Sequence, residues 1–87
     1  MEEKIKISED CVAENIQDDL IILNVSTGEY HELNQLGAIL WKIVEEKEPS
    51  REELIIILEE RFSSPDIKKD CVDFIEDMVK RNLFILN

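Results

Sequence analysis

Between Thr27 and Trp41 the sequence changes its hydrophobic period, and that change constrains what the rest of the chain can do. Glu29-Tyr30-His31-Glu32-Leu33 alternates polar and larger side chains, which suits a short half-buried strand. Beyond it, Leu36, Ile39, Leu40 and Ile43 recur at helical spacing, and Trp41 and Val44 widen the apolar stripe. Asn34 stands at the junction, where its side-chain oxygen can accept from the free amides of a first helical turn. Thr27-Gly28 supplies the turn before the strand, since glycine tolerates positive φ without steric cost. The strand delivers the chain into a helix that is expected to form the middle of the core.

Upstream, Lys4-Ile5-Lys6-Ile7 alternates and reads as a strand or an extended approach to one, and Cys11 to Ile16 is a second strand-like run. Gln17-Asp18-Asp19 signals a turn, and the β-branched run from Leu20 to Val25 is the best strand in the chain. Short turns imply an antiparallel meander whose last strand, Glu29 to Leu33, lies on an edge with free backbone groups. Downstream the chain reads as helical. A first helix covers about 35–46 and stops at Lys47-Glu48-Pro49. Ser50-Arg51-Glu52-Glu53 is a capping box that opens a second helix over about 51–62. Ser64-Pro65 opens a third over about 65–82, with Pro65 at the first helical position. Leu83-Phe84-Ile85-Leu86 is an apolar extended tail that must dock somewhere. The reading is one α+β domain over 1–87, winged helix-turn-helix-like, with a three-stranded antiparallel sheet over about 4–33 followed by three helices.

The 87 residues carry a net charge of −11, and residues 1–33 alone hold nine Asp and Glu against two Lys. A nucleic-acid backbone demands clustered Lys and Arg. In the third helix Lys68, Lys69, Lys80 and Arg81 are outnumbered by Asp66, Asp70, Asp73, Glu76 and Asp77, so the winged-helix inventory comes without a DNA-binding face. The acidic field favours a basic or neutral partner instead. There is no apolar run of about 18 residues to span a membrane. The Met1-Glu2-Glu3-Lys4 start has no signal-peptide pattern, so the expected location is cytoplasmic.

Catalysis has little to work with. The sequence contains no glycine-rich phosphate loop, no nucleophile elbow and no metal-ligand cluster, and neither a cofactor nor a metal is expected. Cys11 and Cys71 stand 60 positions apart and fit reduced, buried thiols. His31 is the only histidine, and no nucleophile, base and orienting group can be named together. The reading is therefore non-enzymatic. What remains is peptide binding: an exposed strand edge takes an extended peptide as one more strand, and side-chain pockets add specificity. The third helix has more apolar residues than one core face needs, with Val72, Ile75 and Val79 in one line and Ile67, Cys71, Phe74 and Met78 in another. That second line is the expected opposite wall of a groove.

The run Tyr30-x-x-Leu33-Asn34-x-x-Gly37-x-x-x-Trp41, followed by a helix and a Ser-x-x-Glu box, resembles the PqqD-like family, the recognition elements of ribosomally made, post-translationally modified peptides. The resemblance extends from about Cys11 to Leu86. It implies a winged-helix-like domain that binds the leader of a precursor peptide as a strand between the third strand and third helix, and does no chemistry itself. Carried over by position, Glu29, Tyr30, His31, Glu32 and Leu33 would supply the pairing backbone. Ile67, Cys71, Phe74 and Met78 would line the wall, with Lys68 or Lys69 at the rim. Leu33 and Trp41 would pack the core, Asn34 would cap, and Gly37 would allow close approach of another element. Glycine at position 37 looks more like the free-standing proteins of lasso-peptide pathways, which work beside a leader peptidase. The alternative is a peptide chaperone for a radical SAM enzyme. An acidic winged-helix regulator, or a dimerisation module using the strand edge and the Leu83–Leu86 tail, are further readings, with a monomer or weak dimer expected otherwise.

Overall fold

The β-branched run Leu20-Ile21-Ile22-Leu23 becomes the central strand of a sheet, as its continuous apolar character requires. A computed structural model describes residues 3–87, and residues 1 and 2 of the expected domain lie outside them. The elements run β1 (Ile5–Ile7), β2 (Cys11–Ile16), β3 (Asp19–Asn24), β4 (Glu29–Leu33), α1 (Gln35–Lys47), α2 (Arg51–Arg61), α3 (Ile67–Lys80) and β5 (Phe84–Leu86). β2, β3 and β4 form the expected antiparallel meander, in that order. Leu20 pairs with Leu33 and Ile22 with His31. Leu20, Ile22, Asn24 and Leu33 are buried, which fixes the face the sheet turns to the helices.

The β3–β4 hairpin is shaped by a buried polar residue. Asn24 Oδ1 accepts from Ser26 N and Ser26 Oγ, both at 3.0 Å, and from Thr27 N at 3.3 Å. Gly28 completes the turn at φ 78°. This local competition ends the strand at Asn24, one residue before the expected Val25.

The expectation of one sheet over about 4–33 needs correction. β1 does not join the meander but pairs antiparallel with β5, with Ile5 opposite Leu86 and Ile7 opposite Phe84. The apolar tail is therefore docked within the chain: Leu83 and Phe84 are buried, and the ladder satisfies the backbone that goes in with them. Asn82 makes the turn in the left-handed region at φ 62°, while Leu83 N donates to Met78 O at 2.9 Å.

The helices follow their caps. Asn34 Oδ1 accepts from Gly37 N at 2.8 Å. Glu48, at φ 44°, closes α1 by donating to Val44 O, and Pro49 follows. Ser50 and Glu53 form the reciprocal capping box of α2. The start of α3 differs from expectation. Ser64 Oγ accepts from Asp66 N at 3.3 Å, which holds Pro65 and Asp66 in a turn, and the helix begins at Ile67. Across the core, Phe84 stacks on Trp41 at 5.7 Å and meets Phe74 edge-on at 5.7 Å. Among the described residues no helix is long and apolar enough to cross a membrane.

Candidate functional site

β4 pairs with β3 on one side only, and among the described residues no strand follows it in the sheet. Its outer row of backbone donors and acceptors is thus available for pairing. Alternation turns Glu29, His31 and Leu33 towards the helices and Tyr30 and Glu32 away from them, and Tyr30 is 71% exposed. Where β4 gives way to α1, a cleft of about 430 Å³ opens between the two helices α1 and α3. The capping residue Asn34 and Leu36, Gly37 and Leu40 of α1 line it on one side, and Asp70, Asp73, Phe74 and Asp77 of α3 on the other. Free strand edge and cleft are therefore consecutive along the chain.

Gly37 sets how closely the two walls approach. A β-carbon there would lie 3.1 Å from Phe74 Cε1, 3.2 Å from Leu33 Cβ and 3.3 Å from Asn34 Oδ1. The absent side chain lets the Phe74 ring reach over the first turn of α1, as the sequence motif implied for this position. The apolar floor carries a carboxylate rim. Asp77 pairs with Arg81 at 3.2 Å, whereas Asp70 and Asp73 have no ion-pair partner among the described residues.

The expected wall is redrawn by burial. Cys71 and Met78 have 0% exposure and Ile67 6%, so these three belong to the core and only Phe74 reaches the cleft. Ile67, Cys71, Ile75 and Met78 make the single buried stripe of α3, while Val72, Phe74 and Val79 flank it half-buried. The apparent surplus of apolar residues is one wide stripe with two shoulders. Lys68 is exposed and lies outside the cleft lining, as does Lys69. Leu36, Leu40, Asp70, Asp73 and Asp77 were not expected here. Asp70 and Asp77 could have been found as the residues four before and three after Phe74, on the same helix face.

Burial pushes the Cys71 thiol up to about 11, so at neutral pH it is a protonated packing group. Burial also raises Cys11, against a hydrogen bond to Ser8. Both cysteines are free, and no cluster of three His, Cys, Asp or Glu that could hold a metal occurs among the described residues.

The family model described as coenzyme PQQ synthesis protein D (PqqD) matches residues 19–83. Two solved structures resemble the chain over most of its length. TbiB1 in complex with the TbiA(beta) leader peptide is 27% identical, with a TM-score of 0.79, covering 91% of this chain and 93% of that one. Lasso peptide synthetase B1 complexed with the leader peptide is 13% identical, with a TM-score of 0.80 and coverage of 94% and 98%, and supports the fold alone. No curated protein sequence matches.

Proposed function

The chain belongs to the PqqD family, and from that footing we propose that it is a non-catalytic leader-peptide-binding protein of a lasso-type pathway. The observation that carries this reading is the open edge of β4 running directly into the cleft between α1 and α3. The likeness to TbiB1, a protein solved with a leader peptide, supports it. The leader adds as a strand along Glu29, Tyr30, His31, Glu32 and Leu33, gaining main-chain hydrogen bonds. An apolar leader side chain enters between Leu36 and Phe74, where Asp70 and Asp73 favour a basic or neutral neighbour over an acidic one. The protein then presents the precursor to a leader peptidase. The 27% identity to TbiB1 over nearly the whole chain favours that setting over delivery to a radical SAM enzyme.

The tail-mediated dimer loses its main support, because Phe84–Leu86 is paired with β1 of the same chain. The test is fluorescence anisotropy of a labelled leader taken from the precursor encoded nearest this gene. Saturable binding in the micromolar range or tighter, lost on scrambling the leader, is expected. Proline placed in β4 at an outward-facing amide among Tyr30, His31 and Glu32 abolishes that binding with the fold kept, because it removes a donor to the added strand. Unchanged affinity in all three proline variants sinks the strand-addition mode.

A further inference from the structure

The sheet has a second face that no other element covers among the described residues. Because Leu20, Ile22, Asn24 and Leu33 point to the helices, the alternate positions point outward. Two complete cross-strand rows stand there. Val12, Leu23 and Tyr30 form an apolar row, and Glu14, Ile21 and Glu32 place a carboxylate at each end of the next. Val12 is 55% exposed, Ile16 on the same face 52% and Tyr30 71%. Three of the most exposed large apolar side chains among the described residues thus share one face, with Val12 and Tyr30 joined through Leu23, and apolar exposure grouped in this way marks an interaction site.

Charge indicates what covers it. Between Lys6 and Lys42 the sequence contains no Lys or Arg, and among the described residues Glu14, Asp19 and Glu32 on this face form no ion pair. Edge strands often carry lysine as protection against unwanted pairing, whereas β2, β3 and β4 contain no Lys or Arg and four acidic residues. A second copy stacked face to face would set these carboxylates against their own equivalents, which is repulsive. The occupant that fits is a different protein whose contact surface is apolar with a rim of Lys and Arg.

The position of the face identifies the role of that protein. A leader strand added to β4 extends the same sheet, and alternate leader side chains stand beside Tyr30 and Glu32. A protein seated on the outward face therefore touches carrier and leader together. Resting on the leader-binding reading, we propose that the outward face of the β2–β3–β4 sheet docks the enzyme that processes the delivered precursor, through a basic-rimmed apolar surface.

Val12, Glu14 and Ile16 lie on β2, the strand farthest from the β4 edge, so they report on this face without touching the leader. The experiment measures binding of two probes, the labelled leader and the leader peptidase encoded with the precursor, to the wild-type protein, V12S/I16S and E14K. The expected result is leader affinity unchanged in both variants, with peptidase affinity about tenfold weaker or worse in each, the size of one interface hot spot. Peptidase binding equal to wild type in E14K and in folded V12S/I16S overturns the proposal. So does a wild-type protein that binds leader but not peptidase. A wild-type dimer that V12S/I16S converts to monomer in sedimentation assigns the face to a second copy and overturns it likewise. Failure of the wild type to bind leader strikes the underlying reading instead.

Discussion

Phe74 Cε1 lies 3.1 Å from the place a β-carbon would occupy on Gly37. That distance joins the two walls of the cleft at the point where β4 becomes α1. The ring is set from the other side by Phe84, which meets it edge-on and itself stacks on Trp41. The path from Gly37 through Phe74 and Phe84 to Trp41 thus links the cleft to the core and to the β1–β5 ladder.

Substituting Gly37 by alanine tests this packing. In an open helix the change gains about 1 kcal/mol of propensity. Here the methyl meets Phe74, Leu33 and the capping oxygen of Asn34 at once, all within 3.3 Å, and over-packing of this kind costs about 1–3 kcal/mol. The expected outcome of G37A is a net loss of about 1 kcal/mol in urea unfolding followed by Trp41 fluorescence, given these opposing terms. Leader affinity falls as well, because Phe74 must move.

Met78 and Phe74 separate core from cleft. Met78 has 0% exposure, and M78A is expected to cost about 2–5 kcal/mol of stability through the cavity it leaves. At a temperature where M78A is still folded, its leader affinity stays near wild type. Phe74 is half-buried and lines the cleft, so F74A loses less stability but weakens leader binding about tenfold, as a truncated interface anchor does. Paired denaturation and anisotropy measurements check both.

Acid should loosen the link between β1 and α2. Lys4 Nζ donates to Glu53 Oε1 at 2.8 Å, and Ser50 adds its backbone amide and hydroxyl, which together hold the Glu53 carboxyl down at about 2 from an ordinary 4.5. Between those values the unfolded chain carries a proton that the folded chain does not. The stabilisation is therefore complete above about 4.5 and lost as pH falls towards about 2. E53Q is expected to flatten the fall of the urea midpoint across that window relative to wild type, while lowering stability at neutral pH.

Much of this architecture is readable from residue order. The strand Glu29–Leu33, the Asn34 cap and the Ser50–Glu53 box follow from local chemistry, because turns, caps and periodicity act within a few residues, whereas the close approach at Gly37 was implied by the family resemblance. Two long-range features were not readable, for one reason. The pairing of Ile5–Ile7 with Phe84–Leu86 and the choice of stripe on α3 depend on residues far apart in sequence. Periodicity places Ile67, Cys71, Phe74 and Met78 on one side of a helix, yet cannot say which member sits at the shoulder. The neighbours decided it: Phe84 occupies the core beside Phe74 and leaves that ring at the cleft.

The central claim is that a leader peptide becomes the next strand beyond β4. Amide hydrogen exchange by NMR, with and without saturating leader, reads this at single residues. The account predicts that outward-facing amides within Glu29–Leu33 pass from fast exchange to protection, while the amides of β2, at the opposite sheet edge, do not change. Saturable binding with no new protection in β4, or with protection appearing along Cys11–Ile16 instead, would contradict it.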